Sequence, residues 1–169
     1  MFKVIKECRI CGNDKLRKII DLGNQPPANS LQKKKIVLKK VPLVILRCPK
    51  CFVLQLNATV SPKYLFSKYL WVTGTSNAIK KFRKIFVKKI INKNKNKKQK
   101  LLEIASNDGF FLSEFKKNNF EILGIDPAKN IAKKANSKGL KTLPVFFNEK
   151  TAKKIKKFFK PNIIVCRNV

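Results

Sequence analysis

Two Cys-x-x-Cys units, Cys8-Arg9-Ile10-Cys11 and Cys48-Pro49-Lys50-Cys51, constrain this chain more than any other feature. Two intervening residues let both thiolates of a tight turn reach one ion, and two such turns supply the four sulfurs of a tetrahedral site. Gly12, directly after the first unit, suits the sharp turn in which backbone N–H groups point back at the sulfur. Arg9, Arg47 and Lys50 stand beside the cysteines, where they offset part of the negative charge of a four-thiolate zinc centre. A thioredoxin-type dithiol should follow a strand in a βαβ pattern, which is missing here, and a cytosolic setting disfavours stable disulfides. Cys8, Cys11, Cys48 and Cys51 are therefore expected to hold a structural Zn2+ with no open coordination position. Cys166, in the apolar run Ile163-Ile164-Val165-Cys166, reads as a buried strand residue.

Charge comes next, because 40 Lys or Arg against 9 Asp or Glu give a formal charge of +31, with no histidine. Without histidine the chain contains no Ser-His-Asp or Cys-His pair, no imidazole ligand and no histidine general base. The basic surplus suggests nucleic acid, since Lys and Arg neutralise phosphates. Arginine, however, is confined to Arg9, Arg17, Arg47, Arg83 and Arg167, and base-edge and bidentate phosphate recognition lean on the guanidinium. The lysines spread from Lys3 to Lys160, and Lys, Asn, Ile and Phe, all with A/T-rich codons, are abundant together. The charge therefore reads as a lysine bias on solvated faces, and nucleic acid is not the expected partner. The alternative reading is a zinc-ribbon nucleic-acid-binding module using a lysine-rich surface. No apolar run approaches the roughly 20 residues that span a bilayer. The segment Met1-Phe2-Lys3-Val4 lacks the apolar stretch of a secretory signal. No membrane partner and a cytoplasmic location are expected.

The texture of the sequence predicts a zinc-binding domain over 1–74, then a helical connection and a cofactor domain over 75–169. A helix over 75–91 starts at Thr75 or Ser76 as N-cap. Its apolar stripe is Ala78, Ile79, Phe82, Ile85, Phe86 and Ile90, which suits packing against a neighbouring domain. The lysine- and asparagine-rich stretch 92–100 reads as a solvated connection. Apolar runs near 101–105, 121–125, 142–146 and 162–166 alternate with amphipathic stretches, the pattern of βαβ units around a parallel sheet.

Within that pattern, Leu101–Ala105 reads as a buried strand, Ser106-Asn107-Asp108-Gly109 as the turn after it, and Phe110–Phe115 as the opening of a helix. A small-residue turn at a helix N-terminus lets backbone amides approach a ligand closely. The next strand ends at Asp126, where a carboxylate is placed to accept both ribose hydroxyls. Asp126 as a cap of the helix starting at Pro127-Ala128 is the competing reading. A single glycine leaves little room for a dinucleotide pyrophosphate. A nucleoside with a charged amino-acid tail, as in S-adenosylmethionine, fits better, with Glu103 or Asp108 at its cationic end.

Several segments together resemble a known family. They are Cys8–Gly12, Asp21–Ser30, Cys48–Cys51 with Leu54-Gln55-Leu56, Leu65–Ser76, Glu103–Gly109, Gly124–Asn130, Phe146–Asn148 and Cys166–Val169. The sequence is similar to the S-adenosylmethionine-dependent sugar C-methyltransferases that carry an N-terminal zinc-binding domain. The resemblance implies an α/β chain: a small zinc-ribbon-like domain followed by a partial Rossmann-like class I methyltransferase domain. It implies a cofactor pocket of Glu103, Ser106, Asn107, Gly109, Asp126, Phe147 and Asn168, with Ala105 where glycine is commoner. It implies a nucleoside-diphosphate keto-deoxysugar as substrate, met by Tyr69 and Asn29, with Trp71 where a second tyrosine is common. The family's histidine base lies beyond the point corresponding to residue 169. The chain is accordingly expected to be an N-terminal portion without the catalytic half, its last strand an open edge, unless a separate polypeptide supplies the remainder.

Overall fold

Apolar periodicity, local turns and thiol spacing resolve into two compact units, Met1–Leu65 and Phe66–Val169, in a computed structural model. It describes all residues except 29, 32, 33, 35, 95–98 and 168. Asn29 and Asn168 therefore lie outside the described residues. No described helix is long and apolar enough to cross a membrane.

The first unit is built from short antiparallel strands. Strand β1 (Phe2–Val4) pairs with β5 (Ala58–Val60), and β2 (Arg17–Gln25), β3 (Val41–Arg47) and β4 (Leu54–Leu56) form a three-stranded sheet in that order. Irregularities between Lys18 and Ile20 and between Asp21 and Asn24 break the β2–β3 register. At the second of these the Asp21 carboxylate accepts from the Gly23 amide at 3.0 Å and from Lys18 Nζ at 3.1 Å. Those two donors hold its pKa below the usual carboxylate value. Among the described residues the buried apolar set of this unit is Cys8, Pro27, Val41, Val44, Cys48 and Ala58. So small a core supplies little burial energy, and units of this size need a staple.

The second unit is a parallel sheet covered on both faces. A short helix α1 (Pro62–Phe66) spans the boundary between the two units, and α2 (Asn77–Lys93) follows a 3-10 turn at Thr73–Thr75. Then β6 (Lys100–Ile104), α3 (Phe110–Lys117), β7 (Glu121–Ile125), α4 (Lys129–Ser137), β8 (Thr142–Leu143), α5 (Glu149–Phe158) and β9 (Ile163–Cys166) alternate as the sequence pattern requires. All strand pairs are parallel and the order across the sheet is β8-β7-β6-β9. Leu101 and Leu102 of β6 point to opposite faces, one into a cluster with Phe111, Phe115 and Val87, the other into a cluster with Leu123, Ile155 and Phe159. Both faces are buried, as a parallel sheet requires. The chain builds outward from β6 through β7 to β8, then returns to the other side of β6 with β9. This reversal is the topological switch point at which open α/β sheets bind ligands.

Three sequence expectations are corrected here. Helix α2 packs on the sheet's own core through Ile79, Phe86, Ile90 and the fully buried Val87, whereas Ile85 is exposed. Several apolar residues compete for its inner face, and periodicity alone cannot rank them. The stretch 92–100 is not wholly solvated, since Gln99 is buried, its side chain donates to the Asn94 carbonyl at 3.0 Å and its carbonyl accepts from the Glu121 amide at 2.9 Å. Cys166 is exposed, because β9 ends the sheet among the described residues and only Val165 of that strand is buried.

Candidate functional site

The two Cys-x-x-Cys units fold into a matched pair of turns. In the first, the Cys8 amide donates to the Asn13 carbonyl at 2.8 Å and the Gly12 amide to the Cys8 carbonyl at 2.9 Å. In the second, the Cys48 amide donates to Val53 and the Phe52 amide to Cys48, each at 3.0 Å. The thiols of Cys8 and Cys51 stand 3.5 Å apart, those of Cys11 and Cys48 3.6 Å apart, and all four lie within 4.8 Å of one another. Four thiolates about 2.3 Å from a central zinc would be spaced about 3.8 Å apart, so the donor set, spacing and turn geometry fit a tetrahedral zinc ion. The sulfurs are far too distant to be disulfides. Burial raises the Cys48 pKa, but the amides of Cys51 and Lys50 outweigh it and bring the thiol down to about 6. The amide of Cys11 likewise lowers the Cys8 thiol below its ordinary value. Asn13 Nδ2 reaches Cys48 Sγ at 3.6 Å, an outer contact of the kind that orients ligands. Zinc is thus the staple of the first unit.

Gln55 locks the first turn to the sheet, and sequence reasoning gave it no such role. Its Oε1 accepts from the Arg9 amide at 2.9 Å and its Nε2 donates to the Glu7 carbonyl at 3.1 Å. In Leu54-Gln55-Leu56 the polar residue is buried and both leucines are exposed, the inverse of ordinary alternation.

In the second unit the residues after β6 gather at the carboxyl ends of the strands. Ala105, Asn107 and Gly109 all adopt left-handed backbone, with φ of +53°, +50° and +73°. This kinked turn leads directly into the N-terminus of α3. The Asp126 carboxylate, at the end of β7, accepts the Asn107 amide on Oδ2 and the Ala128 amide on Oδ1, both at 2.9 Å. It therefore ties the loops after β6 and β7 together, and burial raises its pKa against those two donors. Glu103 is only 1% exposed, with Oε1 ion-paired at 2.5 Å to Arg167 from the end of β9. Its Oε2, Ser106 Oγ and Asp108 Oδ1 are buried without a hydrogen-bond partner among the described residues. The other Asp108 oxygen meets Lys138 Nζ at 3.3 Å.

The segment 67–75 is bound to these loops by side-chain amides. Asn130 accepts the Tyr69 amide at 3.1 Å and donates to the Tyr69 carbonyl at 2.7 Å. Asn107 accepts the Thr73 amide at 3.0 Å on Oδ1 and donates to the Trp71 carbonyl at 3.1 Å through Nδ2. The side chain of Asn107 is thereby occupied by the protein itself. Tyr69 is half-buried, Trp71 is exposed, and Phe147 is exposed just before Asn148, which caps α5 reciprocally with Thr151. Of the residues singled out from the sequence, Glu103, Ser106, Asn107, Gly109 and Asp126 fall in one loop cluster.

Residues 8–66 match a methyltransferase family model described as "Putative zinc binding domain". The C-methyltransferase NovU of Streptomyces niveus is 27% identical over 155 residues, covering 89% of this chain and 37% of NovU. The chain thus spans little more than a third of that relative's length. The crystal structure of the PH0226 protein from Pyrococcus horikoshii OT3 aligns with a TM-score of 0.34 and 17% identity, over 64% of this chain and 40% of that one. A four-cysteine zinc unit followed by a parallel α/β sheet defines the class of protein. The zinc-binding domain over residues 8–66 matches that family model, and the chain is similar to a C-methyltransferase over 155 residues.

Proposed function

We propose that this chain supplies the zinc-binding and cofactor-binding parts of an S-adenosylmethionine-dependent C-methyltransferase acting on a nucleoside-diphosphate keto-deoxysugar. The observation that carries the reading is the trio of buried polar atoms with no hydrogen-bond partner among the described residues, Glu103 Oε2, Ser106 Oγ and Asp108 Oδ1, beside a topological switch point. Buried polar groups normally find partners, and unmet ones clustered at such a place suit a polar ligand. Glu103 and Asp108 carry the charge that a cationic methionyl end needs, and Asp126 retains lone pairs for ribose hydroxyls beyond those its two amides use. Phe147 and Asn168 are assigned to the remainder of the cofactor, and Tyr69 and Asn29 to the sugar. When bound, S-adenosylmethionine supplies an electrophilic methyl group. The base that generates the sugar carbanion is not assigned to this chain, which has no histidine. The zinc ion acts structurally, since its four thiolates leave no open position.

Calorimetric titration of the zinc-loaded protein with S-adenosylmethionine tests the reading, alongside a DNA titration at two salt concentrations. Saturable cofactor binding that Asp126→Ala abolishes is expected. Salt-sensitive DNA binding with no cofactor heat would instead favour a zinc-ribbon nucleic-acid module.

A further inference from the structure

Burying a carboxylate beside a site that needs its charge raises a difficulty. Desolvation favours the protonated acid, which is a poorer partner for a cation. Glu103 faces this problem fully, because it is enclosed between the sheet and α3. The groups around it come from every neighbouring element. Arg167 approaches from the end of β9, the Leu112 amide from the first turn of α3, and Asp108 from the loop after β6, its charge held by Lys138. From α2 the nearby side chain is Phe86, while Arg83 is engaged elsewhere, paired with Glu114 at 3.1 Å and stacked on Phe110.

Arg167 is itself tightly placed. Its guanidinium carbon lies 3.2 Å from the centroid of the Phe111 ring and 5.6 Å from that of Phe86. One terminal nitrogen binds Glu103 Oε1, and Nε is buried without a partner among the described residues. The strands that carry the two charges are adjacent and in register, Ile104 pairing with Cys166. They flank the point where the strand order reverses. The contact uses Oε1 and leaves Oε2 without a hydrogen-bond partner among the described residues.

We propose that Arg167 is a positioning residue for the cofactor crevice: stacked on Phe111, it pins one oxygen of Glu103 and keeps the carboxylate ionised, so that Oε2 can accept the ammonium group of S-adenosylmethionine. The role rests on the cofactor reading above. A supporting observation is the balance of forces on Glu103, whose pKa burial raises to about 7 even though the Arg167 charge pulls it down. Without Arg167 the pull that opposes burial would be lost, and the carboxylate would hold its proton to higher pH.

The test uses the full zinc-loaded chain with two readouts. Carbon-13 labelling of the glutamate carboxyls follows the Glu103 titration directly, and calorimetry follows S-adenosylmethionine affinity from pH 6 to pH 8. Wild-type affinity should rise about tenfold across that range as a group titrating near pH 7 becomes ionised. Arg167→Gln should move the Glu103 midpoint up by about one unit or more and carry the affinity profile with it. Arg167→Lys, which keeps a charge, should restore both in part. Should Arg167→Gln fail to fold, Arg167→Met keeps an unbranched stem over Phe111 and serves in its place.

An unchanged Glu103 midpoint in these variants overturns the proposal. So does a variant that binds more weakly but keeps the wild-type pH profile, because that marks a purely structural role. If wild type takes up no S-adenosylmethionine while the Glu103 midpoint still follows Arg167, the cofactor reading itself falls and takes the positioning role with it.

Discussion

Phe52 occupies in the second zinc turn the place that Gly12 occupies in the first. Each donates its amide to the carbonyl of the leading cysteine, and each adopts a left-handed backbone, with φ of +62° and +71°. Left-handed geometry costs a residue with a Cβ roughly 1–2 kcal/mol. The second turn carries that strain, and the stacking of Arg47 over the Phe52 ring at 4.8 Å offsets part of it.

Gly12→Ala should therefore weaken the first unit by about 1–2 kcal/mol, whereas Phe52→Gly should at least match wild type. Competition with a zinc chelator ranks the three proteins. A Phe52→Gly protein that surrenders zinc faster than Gly12→Ala would contradict the equivalence of the turns.

Cys48→Ser should release zinc and unfold the first unit, because the few buried apolar residues described there cannot hold it alone. Metal analysis and circular dichroism check this. Retention of one zinc per chain would mean that the four-thiolate assignment is wrong.

Ala105 adopts a conformation that suits glycine, so Ala105→Gly should raise the stability of the second unit by about 1 kcal/mol. Gly109→Ala should lower it by more. A Cβ there would stand 2.6 Å from Leu140 Cδ1, in addition to the left-handed φ. Urea titrations of both variants give the sign.

Asn107→Ala removes the acceptor for the Thr73 amide and the donor to the Trp71 carbonyl. Cleavage within 67–75 by a trace of protease should accelerate at least about tenfold, the equivalent of losing one or two hydrogen bonds. Asn107→Asp keeps the acceptor and should lie between wild type and Asn107→Ala. Equal cleavage of all three would show that the segment is held by something else.

Glu103 gives the second unit a pH dependence of definite sign. Its folded pKa is raised from 4.5 to about 7, so the folded state binds the proton more tightly than the unfolded chain. Stability is greatest below pH 4.5 on this account and falls as pH rises through about 7. Melting curves from pH 4 to pH 8 should slope downward in wild type and more gently in Glu103→Gln. An equal slope in both would remove Glu103 as the source.

What the sequence disclosed follows from the range of the forces involved. The Cys8–Cys11 and Cys48–Cys51 turns were readable because ligand spacing is a local property. The strand–turn–helix–strand order around Ser106 and Asp126 was readable because buried parallel strands are short apolar runs between amphipathic stretches. The exposure of Ile85 and burial of Val87 were not, since both are apolar and only tertiary contacts decide between them. The occupation of the Asn107 side chain was invisible for a related reason. Its partners lie more than thirty positions upstream, and an asparagine in a turn gives no sign of which distant backbone it will bind. Asp126 combines the two roles that the sequence set against each other, capping toward Ala128 while reaching across to Asn107.

The order of strands in the parallel sheet also sets an order of assembly. Strand β6 meets β7 across about twenty positions, Leu101 opposite Ile122, but meets β9 across 62, as in the bond from the Lys100 amide to Asn162. The longer closure costs roughly 1 kcal/mol more chain entropy, which favours formation of the β6–β7 pair first. Only when β9 arrives does Arg167 reach Glu103. Because the folded state holds the Glu103 proton more tightly than the unfolded chain, completing the burial of Glu103 should take up a proton near neutral pH. The speed of that step should depend on the acidity of the medium in which the chain folds.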